Sequence, residues 1–163
     1  EETARETLTQ GLRGWEVTDC LITLTTVGYS SPVTVAADFR KLVPLVVMTA
    51  VARAGTAVCE PIEEMEIETP EDAAGSVGAA LIQARGTITA AFREGDAQRV
   101  VCAIPAAELR GVEQRLPRLT RGEGGWFTRF AGYAPVTGEP PCRPRIGPNP
   151  LNRAHYLAEM ARS

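Results

Sequence analysis

The chain has 163 residues, 44% of them hydrophobic and 23% charged, with a net charge of −3, the composition of a globular chain with room for one or two small cores. No apolar run reaches the roughly 18 residues of a membrane span; the longest, Leu42–Ala52, is shorter and follows Arg40 and Lys41. Residues 59–96 hold nine acids and two arginines, whereas residues 97–163 hold ten arginines and five acids; a basic half can meet phosphate by counterion release, although an ordinary solvated surface explains the same pattern.

Glu1, Glu2, Arg5 and Glu6 read as the exposed face of a helix already under way rather than a signal peptide, so a piece of a longer protein is expected. Val17–Thr25 alternates apolar and polar residues and predicts a strand. Val27-Gly28-Tyr29-Ser30-Ser31-Pro32-Val33 breaks that pattern and predicts a loop. Ala36–Ala54 predicts a helix, with Phe39, Leu42, Val43, Val46, Val47, Ala50 and Val51 at helical spacing, Thr34 as N-cap and Gly55 as stop. Pro44 predicts a kink or a late start.

The next stretch reads as two similar halves. Cys59–Glu68 predicts a strand with Met65 and Ile67 on one face and Glu64, Glu66 and Glu68 on the other. Thr69-Pro70-Glu71-Asp72 predicts a helix start, with Thr69 as cap and Pro70 in the first turn, and the helix runs to about Gln83. Thr87–Arg93 predicts a second strand, and Glu94-Gly95-Asp96 a tight turn. Gln98–Ile104 is a third strand, Pro105 with Glu108 opens a helix, and Trp126–Tyr133 is the last strand. The order βαββαβ is the ferredoxin-like, split βαβ arrangement of the α+β class. Beyond it, six prolines from Pro135 to Pro150 predict an extended strap, and Asn149–Arg162 predicts a terminal helix capped at Asn149.

Little in the sequence points to catalysis. No glycine loop is followed by Lys-Ser or Lys-Thr, and the only lysine is Lys41. His155 is a single histidine without a placed nucleophile. Alternating Glu64, Glu66 and Glu68 suit a solvated strand face better than a metal site. The four cysteines, at 20, 59, 102 and 142, lack metal-site or redox spacing and read as buried free thiols of a cytosolic protein.

Glu60-Pro61-Ile62, Thr69-Pro70-Glu71, Arg85-Gly86-x-Ile88 and Thr120-x-Gly122-x-Gly124, in this order, resemble the last domain of elongation factor G; Trp126 stands where that family usually has phenylalanine. Outside that domain, Gly14-Trp15-x-Val17-Thr18-Asp19-Cys20, Ser31-Pro32-Val33 with Ala37-Asp38-Phe39-Arg40, and Thr137-Gly138-Glu139-Pro140-x-Cys142-x-Pro144-Arg145 resemble the ribosomal protection proteins that confer tetracycline resistance. The resemblance implies three segments: 1–57 as the C-terminal half of an α/β domain IV, 58–133 as domain V, and 134–163 as an extension made of strap and helix.

It also implies a role. Tyr29, Ser30, Ser31, Pro32 and Val33 would form the loop that reaches the tetracycline site on small-subunit ribosomal RNA near the decoding site, with Ser30 standing where relatives often have a second tyrosine. Arg143, Arg145 and Arg153 are candidate RNA contacts. No cofactor is expected on this chain; GTP and magnesium would belong to the intact GTPase, a cytoplasmic protein, monomeric when whole, whose truncated piece could self-associate. Two alternatives remain open at this point: a fragment of elongation factor G or another translation-factor GTPase, and a free-standing ferredoxin-like enzyme or sensor.

Overall fold

The structure is a computed structural model and describes residues 1–162. Helix α1 (Glu2–Leu8) and helix α2 (Ala36–Ala54) are followed by strand β1 (Cys59–Pro70), helix α3 (Glu71–Gln83), strands β2 (Thr87–Glu94) and β3 (Ala97–Pro105), helix α4 (Ala106–Leu119), strand β4 (Gly125–Pro135) and helix α5 (Arg153–Met160). Two compact units result, one of Glu1–Val58 with the residues from Thr137 onward, the other of Cys59–Val136.

The second unit is the ferredoxin-like βαββαβ sandwich that the sequence predicts. Its antiparallel sheet has the order β2-β3-β1-β4. Alternation sends Met65 and Ile67 of β1, and Val100, Cys102 and Ile104 of β3, into one core with Val77 and Leu81 of α3 and Val112 and Leu116 of α4. Full burial of each large side chain contributes about 1.5–3 kcal/mol before chain entropy is counted. The opposite face carries the glutamates, and two of them meet arginines: Glu64 with Arg129 at 2.8 Å and Glu66 with Arg99 at 3.4 Å. Helix α3 starts later than predicted. Pro70 is its N-cap, and Thr69 is a buried residue of β1.

Both helices of this unit end in the same way. Arg85 takes a left-handed φ of 58°, its N–H donates to Ile82 O (3.1 Å), and Gly86 N–H donates to Leu81 O (2.9 Å). Arg121 takes φ 56°, and Gly122 N–H donates to Pro117 O (2.9 Å). Bonds of this span satisfy the last helical carbonyls. Gly86 is fixed by proximity, because a Cβ there would lie 2.7 Å from Cys102 Sγ and 2.8 Å from Leu81 O.

In the first unit α2 packs against α1 and α5, and two expectations fail. Val17–Thr25 forms no strand; a strand needs a neighbour for its backbone bonds, and no strand of this unit lies beside it among the described residues. Leu21 is 92% exposed and Leu24 75%. The buried face of α2 is Leu45, Val47 and Met48, while Phe39, Leu42 and Val46 face outward; the helix is apolar on more than one side, so periodicity alone could not orient it. Helix α2 starts at Ala36 and includes Pro44, so the late start does not occur. Pro44 removes the helical partner of the Arg40 carbonyl, and Arg40 is exposed, so water can replace it. The cysteine reading also needs correction: Cys102 is buried, but Cys20, Cys59 and Cys142 are exposed.

The strap is fastened to residues 10–15 by backbone and side chain together. Arg143 N–H donates to Arg13 O at 2.8 Å, and Trp15 Nε1–H donates to Pro141 O at 2.9 Å. Gln10 binds Ile146 twice, accepting from its N–H at 2.7 Å and donating to its carbonyl at 3.1 Å. The terminal helix begins later than predicted: Asn149 Oδ1 accepts from Leu151 N–H (3.0 Å) within a turn, and the cap is Asn152, whose Oδ1 accepts from His155 N–H (3.2 Å).

Candidate functional site

The Tyr29–Val33 loop precedes α2. All five residues are exposed; Tyr29 is 75% and Val33 77% exposed. A free aromatic ring can stack on a base for about 1–3 kcal/mol, and proline offers a rigid apolar plane with little entropy to lose. The Ser31–Pro32 peptide is cis.

The loop is closed at its base. Ser30 N–H donates to Thr34 Oγ1 (2.9 Å) and Thr34 N–H returns to Ser30 O (2.8 Å). One residue on, Val35 N–H donates to Asp38 Oδ2 (2.9 Å) and Asp38 N–H to Val35 O (3.0 Å). Val35 thus holds the N-cap position predicted for Thr34, and the hydroxyl of Thr34 closes the loop instead. The carboxylate of Asp38 in the first turn also suits the positive end of the helix dipole.

The three candidate arginines have different surroundings. Arg145 is half-buried and donates to the carbonyls of Gln10 (2.6 Å) and Gly11 (3.4 Å); burial lowers its pKa from the ordinary guanidinium value. The Arg143 guanidinium stands 5.9 Å from the centre of the Trp15 ring, within cation–π range. Arg153 opens α5 and is exposed. Among the described residues no hydrogen bond or ion pair joins the loop to these arginines. Sequence reasoning missed Gln10, Arg13 and Trp15 as the anchorage of the strap; no spacing rule signals a contact between positions more than a hundred residues apart.

In the second unit, Arg85 forms a forked pair with Glu60 (2.8 and 3.1 Å) and reaches Glu108 at 3.3 Å. The hydrogen bond to Glu60 is the main reason its pKa is raised. This cluster ties the start of β1 to the end of α3 and the start of α4. Among the described residues no group of three or more His, Cys, Asp or Glu side chains could hold a metal, and no helix is long and apolar enough to cross a membrane.

Comparison with known proteins shows the family. The model of the elongation factor G C-terminus matches residues 57–143. The chain is 45% identical over 162 residues to the oxytetracycline resistance protein of Streptomyces rimosus, covering 98% of this chain and 24% of that protein. It is 44% identical over 129 residues, 79% of this chain and 20% of the relative, to the tetracycline resistance protein TetM of Streptomyces lividans. It is 34% identical over 158 residues, 96% and 24% respectively, to TetP of Clostridium perfringens. The chain therefore spans about a quarter of the length of the curated relatives that it matches most fully. A crystal structure from Thermus thermophilus shares the fold with a TM-score of 0.70 at 22% identity, over 99% of this chain and 23% of that one. The chain belongs to the elongation factor G C-terminus family and is a homologue of the tetracycline resistance proteins.

Proposed function

We propose that this chain is the ribosome-contacting C-terminal part of a longer cytoplasmic protein that dislodges tetracycline from the small ribosomal subunit. In this reading the remainder of the protein binds GTP with magnesium and supplies the GTPase cycle, and this chain supplies contact rather than catalysis. The observation that carries the reading is the exposed, closed loop Tyr29–Val33. Tyr29 and Pro32 offer stacking surfaces, and the Ser30 and Ser31 hydroxyls suit phosphate or 2′-hydroxyl groups. Arg153 and Arg143 are the more available arginines for phosphate, whereas Arg145 is engaged within its own unit.

Kinship to the resistance proteins across 98% of the chain favours this reading over an ordinary translocase fragment. The test is a chimera of the Streptomyces rimosus protein carrying this chain in place of its matching segment. Replacing Tyr29–Val33 by five Gly/Ser residues should leave ribosome binding intact and abolish release of ribosome-bound tetracycline. Undiminished release would overturn the assignment of the loop.

A further inference from the structure

We propose that Thr34 and Asp38 are positioning residues that hold the Tyr29–Val33 loop in its RNA-binding shape; this rests on the loop assignment above. From Thr18 to Leu42 every residue is exposed except these two, which are half-buried. They are also the two side chains that bind the backbone on either side of the loop's exit. Thr34 Oγ1 takes the N–H of Ser30 at 2.9 Å, and Asp38 takes the N–H of Val35 at 2.9 Å. The return bonds, Thr34 N–H to Ser30 O and Asp38 N–H to Val35 O, make each closure two-point.

Without the Thr34 hydroxyl, the N–H of Ser30 has only water to meet, and Ser30–Val33 regain freedom that RNA binding must then remove. Threonine suits the place because its β-branch restricts χ1, keeping the hydroxyl oriented toward Ser30. Asp38 works one turn further on: it fixes Val35, the N-cap of α2, so that the loop springs from a helix end of defined direction. Neither side chain need touch RNA. Each acts through Ser30 or Val35.

The experiment uses the chimera and the isolated chain together. Thr34→Val and Asp38→Ala should each raise the protein concentration needed for half-maximal release of ribosome-bound tetracycline by about fivefold to tenfold, the factor that one net hydrogen bond corresponds to. Release at saturating protein should be unchanged. Thr34→Ser and Asp38→Asn, which keep an acceptor oxygen, should restore most of the loss. In the isolated chain, amide exchange at Ser30 should accelerate in Thr34→Val with the thermal midpoint unmoved, and at Val35 in Asp38→Ala with the midpoint lowered only by the few degrees that one helix-cap bond is worth. If the Gly/Ser loop abolishes release while Thr34→Val and Asp38→Ala behave as the parent, the positioning role is refuted and the loop assignment stands. If the Gly/Ser loop itself releases drug normally, both fall. A loss in Thr34→Val that serine does not restore, or one that tracks a lowered midpoint, also overturns the proposal.

Discussion

Substituting alanine for Gly14 would test whether the proline-rich strap is held by backbone contact. Gly14 has φ 80°, and a Cβ there would lie 2.0 Å from the carbonyl oxygen of Arg143 and 2.8 Å from its carbonyl carbon. Backbone stands on both sides of the clash, so no rotamer change relieves it, and the strap must retreat. Retreat breaks the bond from Arg143 N–H to Arg13 O and that from Trp15 Nε1–H to Pro141 O. Two hydrogen bonds at about 1 kcal/mol net each, with about 1 kcal/mol for alanine in a left-handed conformation, give a loss of about 3 kcal/mol. The stiffer unfolded chain offsets about 0.5 kcal/mol of this. The chain has two tryptophans, one in each unit, so a Trp126→Phe background leaves Trp15 as sole reporter of the first. Urea unfolding followed by Trp15 fluorescence should show the loss, and trypsin should cut Arg145–Ile146 faster. Gly28→Ala is the control, since a Cβ there meets nothing within 4 Å. A change below about 0.5 kcal/mol with an unaltered tryptic rate would mean that the strap is not held where the structure puts it.

Thiol titration under native conditions should find three cysteines reacting promptly, Cys20, Cys59 and Cys142, and a fourth, Cys102, only on unfolding; prompt reaction of all four would contradict the packing of the sandwich. Burial pushes the Cys102 thiol up to about 11 from 9.0. Between those values the unfolded state has lost a proton that the folded state keeps, so the contribution of Cys102 is intact below pH 9 and is lost as pH rises towards 11. Two units correspond to roughly 3 kcal/mol. In a Trp15→Phe background, the urea midpoint of the second unit, read from Trp126, should fall over this range by clearly more with Cys102 present than in Cys102→Ala, which starts lower because of the cavity it leaves; parallel pH profiles would remove the thiol as the cause.

The sandwich was readable because several independent signals agree along residues 59–135. Alternation sets the faces of β1 and β3, proline and acids mark the helix starts, and each helix stop carries glycine. The first unit offered no such agreement. Val17–Thr25 has the period of a strand, but period reports faces and not whether a neighbour exists to take the backbone bonds. Helix α2 is apolar around much of its circumference, so the choice of Leu45 and Met48 over Phe39 and Val46 was made by α1 and α5. The cap moved from Thr34 to Val35 because an acid three residues beyond Val35 offers the Val35 N–H a carboxylate, leaving the hydroxyl of Thr34 free to close the loop. Asp38 is thus the part of that change written in the sequence, as an acid in the first turn.

The physical roles of the motif residues also separate two kinds of kinship. In the second unit the residues that carry the likeness to elongation factor G are architectural. Glu60 and Arg85 bind one another, Arg85 and Gly86 finish α3, and Gly122 finishes α4. A Cβ on Gly124 would lie 2.9 Å from the carbonyl of Glu68 and 2.7 Å from Thr120 Cγ2, so that glycine too is required by packing. Gly86 and Gly124 are held to glycine by close packing, and the Glu60–Arg85 pair joins the ends of three elements of the sandwich. The exposed loop is under no such constraint: Tyr29 and Val33 bury little, and their replacement would cost the fold almost nothing. Identity at Arg85 and Gly86 therefore speaks to the fold, while the proposed loop assignment predicts that Tyr29–Val33, with Thr34 and Asp38, is where a drug-releasing protein and a translocase with the same sandwich differ.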